Sequence, residues 1–150
     1  MATERIWLVR QLPTDTPDRV SLFEQFYVSL EPEVYLWKSN HSYLIVVAGA
    51  AQELVSDKFY DKTLKAIEKE PIVIRRYTYV VGQHEISVSD MDKGAVMYAK
   101  VVFDCEEDAD NYVFPWPELI IREVTNEQDN EIANYWYKTR CAELAGCTEE

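Results

Sequence analysis

Glycine and proline are scarce in this sequence, at four and six of 150 residues. That scarcity argues against a low-complexity or disordered chain. No run of about 18 consecutive apolar residues occurs, so no membrane-spanning helix is expected. The first residues lack a basic stretch followed by an apolar core, and no secretory leader is expected either. Cysteine is sparse: Cys105, Cys141 and Cys147 are odd in number and lack the spacing of a metal site. They read as reduced thiols in a cytoplasmic protein. Positive charge is also short. Fifteen Lys and Arg stand against 27 Asp and Glu, for a net charge of −12. That balance disfavours nucleic acid and anionic membranes, whose binding depends on neutralising phosphates. It suits solubility, and it also suits an acidic face that docks a basic protein partner. The acids gather late, in "DCEEDAD" (104–110), "NEQDNE" (126–131) and the terminal "EE".

What the chain does have is apolar material. Hydrophobic residues make up 47% of it, enough for one domain over 1–150 with a proper core. Alternation and turn residues predict strands at 20–30, 33–39, 43–50, 72–81, 84–90 and 95–104. "NHS" and "GQ" are the turns of two hairpins. "KFYDKTLKAIEKE" (58–70) reads as extended at first and then helical, ending before Pro71. "EEDADNYVF" reads as a short helix whose first-turn acids suit the positive end of the helix dipole. A C-terminal helix is expected over 130–146, with Ile132, Trp136 and Leu144 on its buried side and Gly146 as its stop. Seven or eight strands, mostly joined as hairpins, with two or three helices, give a β-rich α+β class. The expected form is an antiparallel sheet curled into a barrel with helices packed outside.

The first strand, "ATERIWLV" (2–9), raises a question of its own. Ala2, Glu4, Ile6 and Leu8 share one face, so a single carboxylate sits among apolar neighbours. "RQLP" follows it, then "QFYV" (25–28), and later "AKVVFDCEEDADNYVFPWPELIIREVT" (99–125). In that order these segments resemble the CYTH family, the triphosphate tunnel metalloenzymes. Members of that family open with a Glu-x-Glu-x-Lys strand followed by Leu-Pro. They continue with a Gln-Gly-Tyr-Leu strand and carry a late acidic block before an aromatic turn.

The resemblance implies an eight-stranded antiparallel tunnel. In the family, inward Lys and Arg hold a triphosphate, and inward Glu hold divalent metal for triphosphate hydrolysis or nucleotidyl cyclisation. Matched onto this chain, most of those inward positions differ. Glu4 remains, flanked by Ala2 and Ile6 where the family has Glu and Lys. Tyr35 and Trp37 stand for two arginines, Ala48 for a lysine, and Lys58 and Tyr60 for a Glu-x-Glu pair. Arg76 remains beside Ile74, Glu85 remains beside Ser87, and Lys100 and Val102 replace a second Glu-x-Glu. A charged lysine supplies no lone pair to a metal. Glu4 and Glu85 therefore read as remnants of a dismantled metal site, and no resident cofactor is expected. Mg or Mn would enter only if the chain were an active enzyme.

Two readings follow for the remaining charges. Glu4 and Glu85 could neutralise the cations inside a filled barrel. Alternatively Lys58, Arg76 and Lys100 hold a nucleotide or polyphosphate, with Tyr35 and Trp37 offering a stacking surface. The expectation is an inactive tunnel protein, a pseudoenzyme, acting as a binding or regulatory module through a protein partner. Metal-independent phosphate binding is the alternative. His41 reads as a turn residue, and His84 has no nucleophile partner in view.

Overall fold

The computed structural model describes residues 3–127 and 132–141. Nine strands and a few helices are arranged around antiparallel pairings. In chain order they are β1 (Thr3–Val9), β2 (Arg19–Leu30), β3 (Glu33–Lys38), β4 (Tyr43–Val47), β5 (Ala51–Leu54) and α1 (Asp57–Ile67). After these come β6 (Ile72–Val81), β7 (His84–Met91), β8 (Val96–Phe103), α2 (Glu106–Asn111), a 3₁₀ turn (Pro117–Leu119), β9 (Ile120–Glu123) and α3 (Ile132–Trp136). A wider helical turn, Tyr137–Cys141, continues α3. The hydrogen-bonded strand order is β5-β4-β3-β2-β6-β7-β8-β1-β9. No helix among the described residues is long and apolar enough to cross a membrane.

The chain forms two compact units, Met1–Ser21 with Ile74–Asn130, and Leu22–Val73 with Glu131–Glu150. In the first unit, β7 and β8 alternate over much of their length, while β1 buries Ile6 beside Trp7 and β6 buries Thr78 beside Tyr79. Trp7 and Val9 of β1, Ile86 and Val88 of β7, and Ala99, Val101 and Phe103 of β8 are buried together on one face. The block 105–119 covers that face: Ala109 of α2, Phe114 and Leu119 join the same cluster. The Trp7 ring lies 4.9 Å from Phe114 and 6.0 Å from Tyr112. Removing that much apolar surface from water is the main driving term for this half of the chain. Gly82, at φ 63°, opens the two-residue turn of the β6–β7 hairpin, a position that asks for a positive φ.

In the second unit the β2–β3–β4 pairing sets Phe26 opposite Leu36 and Leu36 opposite Ile45. A bulge between Tyr27 and Ser29 interrupts the β2–β3 ladder. Tyr60 of α1 packs edge-on to Phe26 at 5.1 Å and is almost fully buried. Trp136 of α3, equally buried, lies 5.8 Å from the ring of Tyr27. Arg140 donates hydrogen bonds to the carbonyls of Glu70 and Pro71, at 3.0 and 2.9 Å, which ties the turn after α3 to the segment following α1.

Two sequence expectations change. Residues 58–60 are helical from the start: Ser56 caps α1, its Oγ accepting the Phe59 N–H at 3.0 Å, so the helix begins at Asp57. Strands β5 and β9 were not expected as separate elements. Each is four residues long, and every residue of β5 is exposed, so neither shows the alternation that marks a half-buried strand. Leu144 and Gly146, assigned to the C-terminal helix, lie outside the described residues, as do Ala2 and Cys147.

Candidate functional site

The face of the first unit opposite its core is built from the alternate residues of four strands. On β1 these are Glu4, Ile6 and Leu8, because Trp7 and Val9 point into the core. Register then fixes the rest. Leu8 stands opposite Tyr98, Tyr98 opposite Ser89, and Ser89 opposite Arg76. One step along the strands, Ile6 stands opposite Lys100, Lys100 opposite Ser87, and Ser87 opposite Thr78. Glu4 stands opposite Val102, and Glu85 opposite Val80. Two rows thus cross the sheet, Arg76–Ser89–Tyr98–Leu8 and Thr78–Ser87–Lys100–Ile6.

Arg76 is the most constrained of these side chains. Its Nε donates to Ser89 Oγ at 3.1 Å, which holds the guanidinium over the first row. Burial lowers its pKa from the ordinary arginine value, since desolvation penalises the charged form. Lys100 is exposed and lies in the second row between Ile6 and Ser87. Strand spacing puts the Arg76 and Lys100 backbones roughly 12 Å apart, two strands across and one row along. Two long side chains reaching inward can span that distance, over the hydroxyls of Ser87 and Ser89.

The carboxylates on this face lie to one side. Glu4 is exposed beside Val102. Glu85 accepts a hydrogen bond from Arg19 Nη2 at 2.7 Å, an ion pair open to solvent at both ends. Its partner is therefore Arg19 rather than Arg76 or Lys100. Among the described residues no group of three or more His, Cys, Asp or Glu is arranged to hold a metal ion.

The other sequence candidates fall elsewhere. Lys58 lies in the first turn of α1, exposed, because the Ser56 cap starts a helix where a strand was expected. Tyr60, matched with it, points the other way, into the core of the second unit. Its hydroxyl meets Glu24 Oε1 at 3.4 Å, and burial raises the phenol pKa well above its usual value. Tyr35 and Trp37 share a face of β3 but already have aromatic neighbours. Trp37 stacks on Phe23 at 5.0 Å, and Tyr35 packs against Tyr27 at 5.2 Å. Burial raises the Tyr35 phenol pKa as well. His84 packs against the rings of Phe103 and Tyr112, a structural environment. His41 is exposed in its turn.

Thr78, Ser89 and Tyr98 were not singled out from the sequence. Each is two residues from a singled-out position, namely Arg76, Ser87 and Lys100, and period-two alternation places them on the same face. No protein-family model and no curated protein matches the sequence. Solved structures do. A crystal structure of the inorganic triphosphatase NE1496 superposes with a TM-score of 0.73, covering 86% of this chain and 92% of that one at 17% identity. The chain has the fold of NE1496. A second crystal structure, described as the hypothetical protein NE1496, gives 0.74, covering 87% and 94% at the same 17% identity. At that identity the likeness carries the β-rich tunnel architecture. It does not carry the activity.

Proposed function

We propose that this protein is a non-catalytic tunnel-fold binding protein that holds a phosphate-type anion on the Arg76–Lys100 face without a metal. The observation that carries the reading is the pair of rows on that face. Two cations, Arg76 and Lys100, flank hydroxyl donors from Thr78, Ser87 and Ser89. Such a set offers hydrogen-bond donors and positive charge to an oxyanion.

The same donor set suits a divalent cation poorly. Magnesium asks for several oxygen ligands, chiefly carboxylates. Here Glu85 is engaged by Arg19, Glu4 stands apart beside Val102, and Lys100 would repel a cation.

A second reading has its own support. The exposed acids of 104–110 and the net charge of −12 favour docking of a basic protein partner, with the fold acting as a scaffold. The two readings separate in a thermal-shift titration with orthophosphate, tripolyphosphate and ATP, each with EDTA or with magnesium. A ligand bound only by the native state raises the melting temperature. An upward shift in EDTA that disappears in Arg76→Ala supports the anion site. A shift that requires magnesium would sink it and point to an active enzyme. No shift with any ligand leaves the protein-partner reading.

A further inference from the structure

The row Thr78–Ser87–Lys100 holds polar groups that nothing else in the fold uses. Thr78 stands opposite Ser87, and Ser87 opposite Lys100. Thr78 is only 6% exposed, yet its hydroxyl has no hydrogen-bond partner among the described residues. The Ser87 hydroxyl and the Lys100 ammonium have none among them either. Buried polar side chains are nearly always hydrogen-bonded, so an unpaired one in this row points to a missing partner.

Arg19 reaches the same face from the start of β2. Its neighbour Asp18 donates its N–H to the Thr78 carbonyl at 2.7 Å, and the Asp18 carboxylate accepts the Val80 N–H at 2.7 Å. Those two bonds fasten the chain beside β6 and fix where the Arg19 side chain begins. From there Nη2 of Arg19 donates to Glu85 Oε1 at 2.7 Å. That is the one hydrogen bond its guanidinium makes among the described residues, so Nε and Nη1 have no protein partner there. Glu85 is one diagonal step, about 7–8 Å, from both Thr78 and Lys100. The guanidinium is therefore held at the rim of the unpaired row.

We propose that Arg19 is a third ligand of the anion, and that Glu85 is the internal carboxylate it gives up on binding. The inference rests on the anion-binding reading of this face and adds a control on it. Without ligand, Glu85 occupies the guanidinium. Both partners are open to solvent, and an exposed pair of this kind is held weakly. An oxyanion seated at Thr78, Ser87 and Lys100 offers Arg19 several acceptors that match its forked donors. Arg19 swings to the ligand, and Glu85 turns to water. Glu4, the other acid on the face, stands beside Val102 on a strand further from β6 and forms no ion pair among the described residues.

Calorimetric titration of the full chain with orthophosphate and with tripolyphosphate, in EDTA, tests the exchange. Arg19→Gln is expected to weaken binding roughly tenfold. Glu85→Gln is expected to tighten it several-fold by removing the competitor. Arg75→Gln makes the same charge change at an exposed arginine on the other side of β6, and should leave the affinity unchanged. The Arg19 side-chain N–H resonance, assigned by its loss in Arg19→Gln, should move as orthophosphate is added. If circular dichroism shows Arg19→Gln unfolded, Arg19→Lys replaces it, keeping the charge but not the fork, and weaker binding is again expected. Wild-type binding that the Arg19 variant weakens no more than Arg75→Gln does overturns the proposal while the anion site stands. Weaker binding in Glu85→Gln also overturns it, because Glu85 would then be aligning Arg19 rather than competing for it. No binding by either the wild type or Glu85→Gln overturns the anion reading itself, and this inference with it.

Discussion

Arg5 of β1 grips Glu123 of β9 with two hydrogen bonds, Nε to Oε2 at 2.9 Å and Nη2 to Oε1 at 2.6 Å. Its remaining nitrogen, Nη1, donates to the carbonyls of Ala109 and Tyr112, at 2.8 and 3.0 Å, where α2 ends. One guanidinium thus joins two strands to the last turn of a helix, and it lies 4.9 Å from the ring of Trp7. Cations suit helix C-termini because the terminal carbonyls lack intrahelical donors. Arg5→Ala removes all four bonds at once. It is expected to cost about 2 kcal/mol of unfolding free energy, mainly from carbonyls left without a donor. Urea denaturation checks this, and Arg5→Lys should recover only part of the loss because an ammonium lacks the two-pronged geometry.

The same pair predicts a pH dependence. The Arg5 hydrogen bond holds the Glu123 carboxyl below its ordinary pKa, with Thr125 contributing a further hydrogen bond. A depressed folded-state pKa means the native state binds the proton more weakly than the unfolded chain does. The stabilisation is therefore fully present above the unfolded value of about 4.3 and is lost as pH falls through the lower, folded value. Glu123→Gln should be less stable than wild type at neutral pH, and the gap should narrow below about pH 4. Denaturation curves at stepped pH measure it. A gap that stays constant down to pH 3 would contradict the assignment.

Tyr60 separates packing from polarity in the second unit. Its ring contacts Phe26 and Tyr43, at 5.1 and 5.3 Å, while its hydroxyl makes only one long contact, with Glu24. Tyr60→Phe keeps the packing and should cost less than about 1.5 kcal/mol. Tyr60→Ala should cost about 3–5 kcal/mol by opening a cavity under α1. Equal losses in thermal or chemical denaturation would mean that the hydroxyl matters more than the ring.

The Ser56 cap gives a smaller and more local effect. Ser56→Ala removes the acceptor for the Phe59 N–H and should cost about 1 kcal/mol. Amide exchange should quicken at the start of α1 before it quickens elsewhere.

Much of the architecture was legible because alternation is a local signal. Ile86 and Val88 of β7, and Ala99, Val101 and Phe103 of β8, are buried at every second position, and "GQ" marks the hairpin turn between β6 and β7. Alternation set Glu4 among its apolar neighbours, the family resemblance implied inward positions for Arg76, Glu85 and Lys100, and the registers bring those four to one face. Lys58 lies on α1 rather than on an extended segment because one serine, Ser56, caps the helix and outweighs the extended look of "KFY". Tyr98, Thr78 and Ser89 became visible as neighbours only through pairing between strands distant in sequence, which no local window contains. The engagement of Trp37 by Phe23, and of Tyr35 by Tyr27, depends on the same non-local register.

The central claim is anion binding without metal or turnover on the Arg76–Lys100 face. Isothermal calorimetry with tripolyphosphate tests it most directly, because one trace reports both binding and hydrolysis. The account predicts saturable heat in EDTA, the same affinity and no continuing heat after magnesium is added, and loss of the signal in the Arg76→Ala, Lys100→Ala double variant. Silence in EDTA followed by sustained heat on adding magnesium would contradict it and identify a working triphosphatase.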